Sequence, residues 1–407
     1  MTPALSKVIK ILPYKKCFRK ETVLLEVGLK FFQILGLFPC TVDTSASISF
    51  LPSRLCVVYH IALVVTISYC NFYVGIPAIV QAKSESNGLT FEEVLELFLL
   101  GMATAVSLLI WIVYPLTRKR LMIFGRKVVI ADAVARKLGG NYRMESSRNK
   151  LVIFAMIYAI LFGLLIFTEY IIYDDPMSRF VWFCFYTVPS FTIILLLIQY
   201  SLAVHLTSRR IKALNDTILG SLETTAVQGP PAALQSHIDD VVRRVFDTWK
   251  KAHNELYEAS LVIAKFYSFP ILFVMGYTCY TVIFNSFHAV KELVRGNGQT
   301  VAIAILNDCV WILILSMPTV ILMLEIENLL AEAKEKAAVC RKLALRFQKH
   351  RLFRTQVKMY SFELLHENIN FTAFGFFSLN GTVLHSIFAT TVTYLVIIFQ
   401  FNNVYEE

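Results

Sequence analysis

Asp308 and Trp311 stand three residues apart in the apolar run Val301–Leu324, so on a helix they share one face. A carboxylate beside an indole suits two kinds of small molecule. A polyol offers hydroxyls to the acid and C–H faces to the ring, and an organic cation offers its charge to both. Asn307 is adjacent, and other polar or aromatic groups interrupt the apolar runs toward the same end: Asn71, Tyr73, Glu96, Glu169, Tyr170, Trp182, Tyr186, Tyr277 and Tyr280. Ionisable groups at membrane depth mark functional positions by default, whereas Tyr and Trp near span ends also form interfacial belts. For Glu96 and Glu169, a place in the interface is the competing reading. The candidate ligand-binding set is Tyr73, Glu169, Trp182, Tyr186, Tyr280, Asn307, Asp308 and Trp311.

A second constellation lies near the C-terminus. Thr393, Ile397 and Gln400 are spaced four and three apart and share a helical face. Gln within an apolar span normally meets protein or water. A ring of Ile397 side chains closes a pore by dewetting, and a ring of Gln400 amides coordinates passing cations. The competing reading has Gln400 hydrogen-bond a neighbouring helix. The candidate pore and gate residues are Thr393, Ile397, Gln400 and Phe401, while Tyr394 suits packing between helices.

The elements that must position these groups are long apolar helices. Only 17% of the 407 residues are charged, and 56% are hydrophobic. Seven runs are long enough to cross a bilayer: Leu55–Val80, Val94–Leu116, Leu151–Tyr173, Phe180–Leu206, Ser260–Phe284, Val301–Leu324 and Ser378–Phe401. A backbone in lipid satisfies its own hydrogen bonds, so these runs are read as helices. A weaker run, Val23–Pro39, carries Glu26 and Lys30 and reads as an interfacial or partly inserted helix. Pro270, after Ser268 and Phe269, is expected to kink the fifth span.

The charge sets an orientation. Of the 39 Lys and Arg residues, 34 fall on one side of the spans and four on the other, with Lys265 inside the fifth. Lys and Arg in short loops mark the cytoplasmic face, so the N-terminus is expected inside and the C-terminus outside. The net charge of +10 sits in loops between spans, which argues against a nucleic-acid partner. Two inner segments carry narrow apolar stripes: Leu234, Ile238, Val241, Val245, Trp249, Ala252 and Leu256, and Ile326, Leu330, Ala333, Ala337, Cys340, Leu343 and Phe347. They are read as helices that pack together within a subunit or also between subunits. The expected organisation is a cytoplasmic segment with the interfacial helix (1–54), spans one to four (55–206), a cytoplasmic helical linker (207–259), spans five and six (260–324), cytoplasmic anchor helices (325–377), and a pore-lining seventh helix with an external C-terminus (378–407).

Within the last span, Thr393-Tyr394 is followed by five apolar residues and Gln400-Phe401, and Gly375-Phe376-Phe377-Ser378-Leu379 lies upstream. Here the chain resembles the insect gustatory receptor family, whose signature is Thr-Tyr, five mostly apolar residues, Gln-Phe. The match covers roughly the last 35 residues in sequence and the whole chain in topology. The resemblance implies an all-α membrane protein that forms a homotetramer or a heterotetramer with related receptors. It also implies a central cation pore lined by the last helix, and a separate pocket in each subunit for a small-molecule tastant. The odorant receptors of insects share this architecture. Leu395 stands where the family's sugar-receptor clade commonly has Glu, which leaves the fructose-type, bitter and other branches open.

Other functions fit less well. A G-protein-coupled receptor has its N-terminus outside, and neither Asp-Arg-Tyr nor Asn-Pro-x-x-Tyr occurs where that class carries them. A transporter more often shows internal repeats. No catalytic motif, metal-spaced His/Cys set or cofactor fingerprint is found, so an enzyme is not expected.

Overall fold

The computed structural model describes residues 30–38, 40–43, 49–52, 54–69, 73, 91–139, 145–172, 176–227, 235–296, 298–348 and 350–406. The fold is built almost wholly of helices. After a short hairpin, β1 (Cys40–Asp43) paired antiparallel with β2 (Ser49–Pro52), come α1 (Arg54–Tyr69), α2 (Phe91–Lys137) and α3 (Glu145–Ile172). A short α4 (Pro176–Trp182) passes through a π-helical turn, Phe183–Thr187, into α5 (Val188–Val227). Then follow α6 (Gln235–Arg295), α7 (Gln299–Arg346), α8 (Arg351–His366), the hairpin β3 (Thr372–Ala373) and β4 (Phe377–Ser378), and α9 (Gly381–Glu406). Six of the described helices are long and apolar enough to cross a membrane. The apolar α1 is shorter, and the second half of the first expected span lies outside the described residues apart from Tyr73.

The helices are far longer than a bilayer requires. At about 1.5 Å per residue, the 61 residues of α6 extend roughly 90 Å, three times the hydrocarbon thickness. The apolar part of α2, α5, α6 and α7 forms the spanning bundle, and each helix continues unbroken into a polar extension at its basic end. Pro115, Pro270 and Pro318 all lie inside continuous helices. Arg210 grips Asp132 with Nε and one terminal nitrogen at 2.9 and 3.1 Å, Lys127 bridges Glu255 and Glu258, and Lys250 meets Glu363 at 2.5 Å.

Beneath these pairs runs an apolar seam. Val242, Phe246, Trp249, Ala252 and Leu256 are buried on α6, and Ile326, Leu329, Val339, Cys340, Leu343 and Phe347 on α7. The seam departs from the expected stripes at two places. Val242 and Phe246 face inward in place of Val241 and Val245, because the Phe246 ring lies between Trp249, Phe353 and Tyr360 of the neighbouring α8. Lys336 is buried where Ala337 was expected. It reaches Glu367 at 2.8 Å, and its ammonium lies 5.0 Å from the Tyr360 ring.

Residues 30–38 enter the bundle. The Leu35 carbonyl accepts from the Trp111 indole, the Gly36 carbonyl meets His60 Nε2, and the Leu37 carbonyl accepts from Gln199 at 3.0 Å. Phe32, Leu37 and Phe38 are buried there. Gly36 has φ +77, and a Cβ at that position would lie 3.3 Å from the Trp111 ring, so this close turn requires glycine.

Candidate functional site

A cavity of about 400 Å³ opens among the ends of α2, α3, α4 with its π-turn, α6 and α7 opposite the basic extensions. Its volume lies within the ordinary range for small-molecule sites, about 300–1,000 Å³. Six residues of the candidate ligand-binding set line it: Glu169, Trp182, Tyr186, Asn307, Asp308 and Trp311. Glu169 comes from the last turn of α3, Trp182 from the end of α4, Tyr186 from the π-helical segment, and Asn307, Asp308 and Trp311 from α7. A π-turn inserts one residue into the helical repeat and re-aims the side chains beside it, and such turns recur at functional sites. Here it sets the Tyr186 ring between Trp182, edge-on at 5.6 Å, and Trp311 at 4.4 Å.

The polar groups of the wall are held in place. Asp308 Oδ2 lies 2.8 Å from His288 Nδ1. Thr168 donates to Asn307 Oδ1 at 2.8 Å, which ties α3 to α7. Asn285 donates to the Thr281 carbonyl at 2.8 Å, and Thr187 lies within weak reach of both Glu169 oxygens at 3.3 and 3.4 Å. Among the described residues the buried Tyr186 hydroxyl has no hydrogen-bond partner.

The remaining two sequence candidates sit elsewhere. Tyr280 donates to the Leu95 carbonyl at 2.8 Å and packs edge-on against Phe98, so it ties α6 to α2. Tyr73 is 72% exposed and stacks on Tyr69. The sequence reading also left out wall residues Glu93, Phe284, Asn285 and His288, and it named Glu96 as a polar interruption without carrying it into the candidate set. Ending the fifth span at Phe284 placed His288 in a loop. The helix runs on to Arg295, and the spacing of Phe284 and His288 then puts both on one face.

The second constellation lies on α9, and the chain itself covers little of that helix: 6% of its apolar window is buried. Thr393, Ile397 and Gln400 are all exposed on it, as are Tyr394 and Val396. The start of α9 is fixed at two points. Glu327 of α7 accepts the Gly381 N–H at 2.9 Å, a carboxylate at a helix N-terminus. The β3–β4 hairpin just before it rests on Ser268 of α6, whose hydroxyl donates to the Thr372 carbonyl at 3.1 Å and accepts the Phe374 N–H at 2.9 Å. Gly375 turns this hairpin with φ +82.

At the basic end, burial and the nearby Lys336 charge hold the His253 imidazole well below the usual histidine range. Asn215 donates from its amide nitrogen to the Glu332 carbonyl, so its oxygen faces His253 Nε2 at 2.9 Å and the imidazole carries its proton there. Burial pulls the Lys336 ammonium down against the opposing pull of Glu367, and pushes the Cys340 thiol up to about 11.

Six helices long and apolar enough to cross a membrane, with a ligand-sized cavity at one end of the bundle, point to a multi-pass helical membrane protein. Residues 25–403 match the 7tm Chemosensory receptor family, and the chain belongs to it. Among curated relatives, Gustatory receptor 68a of Drosophila melanogaster is 30% identical over 32% of this chain and 34% of its own length. Putative gustatory receptor 28b of the same fly is 24% identical over 37% and 33%. The chain thus spans about a third of the length of these relatives. In fold it is similar to the insect olfactory receptor OR5 from Machilis hrabei, with a TM-score of 0.61 at 12% identity, over 95% of this chain and all of that one. The same receptor in complex with eugenol gives 0.59 at 14% identity, over 94% and 98%.

Proposed function

We propose that this chain is one subunit of a tastant-gated, non-selective cation channel of the cell membrane. The observation that carries this reading is the bareness of α9. A membrane-length helix that presents Thr393, Ile397 and Gln400 on one face, with so little cover from its own chain, is built to meet other copies around an axis. A homotetramer or heterotetramer places four such faces on a pore, with the Ile397 ring as gate and the Gln400 and Phe401 level as the adjoining constriction. The basic extensions face the cytoplasm together with the N-terminus, and α9 ends outside. The cavity then opens toward the outer side and receives the ligand.

Gating requires that the ligand bind the open state more tightly than the closed one. The route is short: α7 contributes Asn307, Asp308 and Trp311 to the cavity and Glu327 to the start of α9. The ligand is a sugar or polyol on one reading, and a bitter or other small organic compound on the other.

Whole-cell recording from cells expressing this chain tests the proposal, with sugars and polyols applied first and bitter compounds second. An inward cation current to one class is the expected result. Ile397→Ala is expected to leak without ligand, and a tightly closed Ile397→Ala channel at the cell surface would remove the gate assignment.

A further inference from the structure

The wall of the cavity names a ligand class, given the reading above that the cavity is the receptor's ligand pocket. Its ionisable groups are Glu93, Glu96, Glu169, Asp308 and His288, and no lysine or arginine lines it among the described residues. The lining thus holds four carboxylates to one imidazole, which lies 2.8 Å from Asp308. Three rings, Trp182, Tyr186 and Trp311, form one continuous aromatic surface in the same wall, and aromatic faces attract cations.

A sugar presents as many acceptor oxygens as hydroxyl donors, and its acceptors gain nothing from carboxylates. A protonated amine presents donors only, carries the compensating charge, and is drawn to the rings as well as the acids. The buried Tyr186 hydroxyl, without a hydrogen-bond partner among the described residues, lies within this aromatic surface as a further polar group.

We infer that the pocket takes a small organic cation, a protonated amine on a cyclic or aromatic body, with Asp308 and Glu169 facing the ammonium and Trp182, Tyr186 and Trp311 enclosing the body. The selectivity is for charge at constant shape.

The test uses the purified full chain in detergent and matched pairs of compounds: 2-phenylethylamine against 2-phenylethanol, and cyclohexylamine against cyclohexanol. Thermal unfolding reads binding without requiring current. The amines are expected to raise the melting temperature at concentrations at least tenfold below those at which the alcohols do. Glu169→Gln is expected to reduce amine potency tenfold or more while leaving the alcohols unchanged. Asp308→Asn is expected to act in the same direction, and Glu169→Gln keeps the test decisive if loss of the His288 contact unfolds the Asp308 variant. Equal shifts from amine and alcohol, or no shift with any amine, overturn the inference. Parallel recording separates the two readings: amine binding without current removes the channel and keeps the ligand class, and current evoked equally by alcohols and sugars keeps the channel and removes the class.

Discussion

Lys336 shows how a single buried charge is tolerated and where it is vulnerable. The ammonium is 4% exposed and relies on Glu367 and the Tyr360 ring, whereas Glu367 is one-quarter exposed. Removing the carboxylate strands a buried cation, and removing the cation leaves a carboxylate that water reaches. Glu367→Ala is therefore expected to lower the melting temperature of the purified protein more than Lys336→Met does, with the Glu367 variant losing on the order of 3 kcal/mol. His253 makes a pH prediction. Its folded pKa is depressed, so below about 6.5 the unfolded chain takes up a proton that the folded chain refuses, and stability falls with pH by up to about 1.4 kcal/mol per unit. His253→Gln is expected to flatten unfolding curves between pH 6.5 and 5, and an unchanged acid slope would show that another group sets it.

At this scale the sequence was partly readable. Asp308, Trp311 and Asn307 were recoverable because they interrupt an apolar helix, and interruption is visible in one dimension. Lys336 was not, since its burial depends on Glu367 arriving from beyond α8, and Tyr186 meets Trp311 only because a π-turn shifts the phase of its helix.

Among the elements, α7 links the cavity to α9. From Trp311 to Glu327 is about 24 Å of uninterrupted helix, so a tilt of a few degrees at one end displaces the other by on the order of 1 Å. Glu327 then acts on the Gly381 amide through one hydrogen bond. Glu327→Ala is expected to cost about 1 kcal/mol of α9 anchoring, comparable to the loss of a helix cap, and to reduce maximal ligand-evoked current. Glu327→Gln retains an acceptor oxygen and is expected to restore most of that current; equal loss in both variants would assign the effect to the charge alone. The long helices themselves were foreseeable as separate spans and stripes. Their continuity was not, because the polarity change between span and extension reads as an element boundary although the backbone hydrogen bonding runs through it. The hairpin before α9 was likewise hidden, since two-residue strands have no periodicity.

For the whole molecule, exposed apolar side chains run along the apolar helices α1, α3 and α9, and a further set lies on α8 outside the expected spans. Leu352, Met359, Phe362 and Leu365 are exposed along α8, with Leu345 beside them at the end of α7. This surface belongs to the basic end, which the proposed orientation places in water, so it calls for cover by further copies. Leu352→Asp combined with Phe362→Asp is expected to shift the purified protein from a multi-chain species to single chains, read by native mass or light scattering. Assembly unaffected by both substitutions would place the subunit contacts elsewhere.

The bareness of α9 carries a thermodynamic consequence for the cell. In a lone chain, lipid covers this helix about as well as protein does, so association gains little from leaving water and rests on packing. In the proposed assembly the pore is then a product of mass action in two dimensions: its abundance follows the areal density of subunits more steeply than in proportion. On that proposal, a cell that halves its expression of this chain loses more than half of its channels, and its sensitivity becomes a matter of gene dosage as well as of ligand affinity.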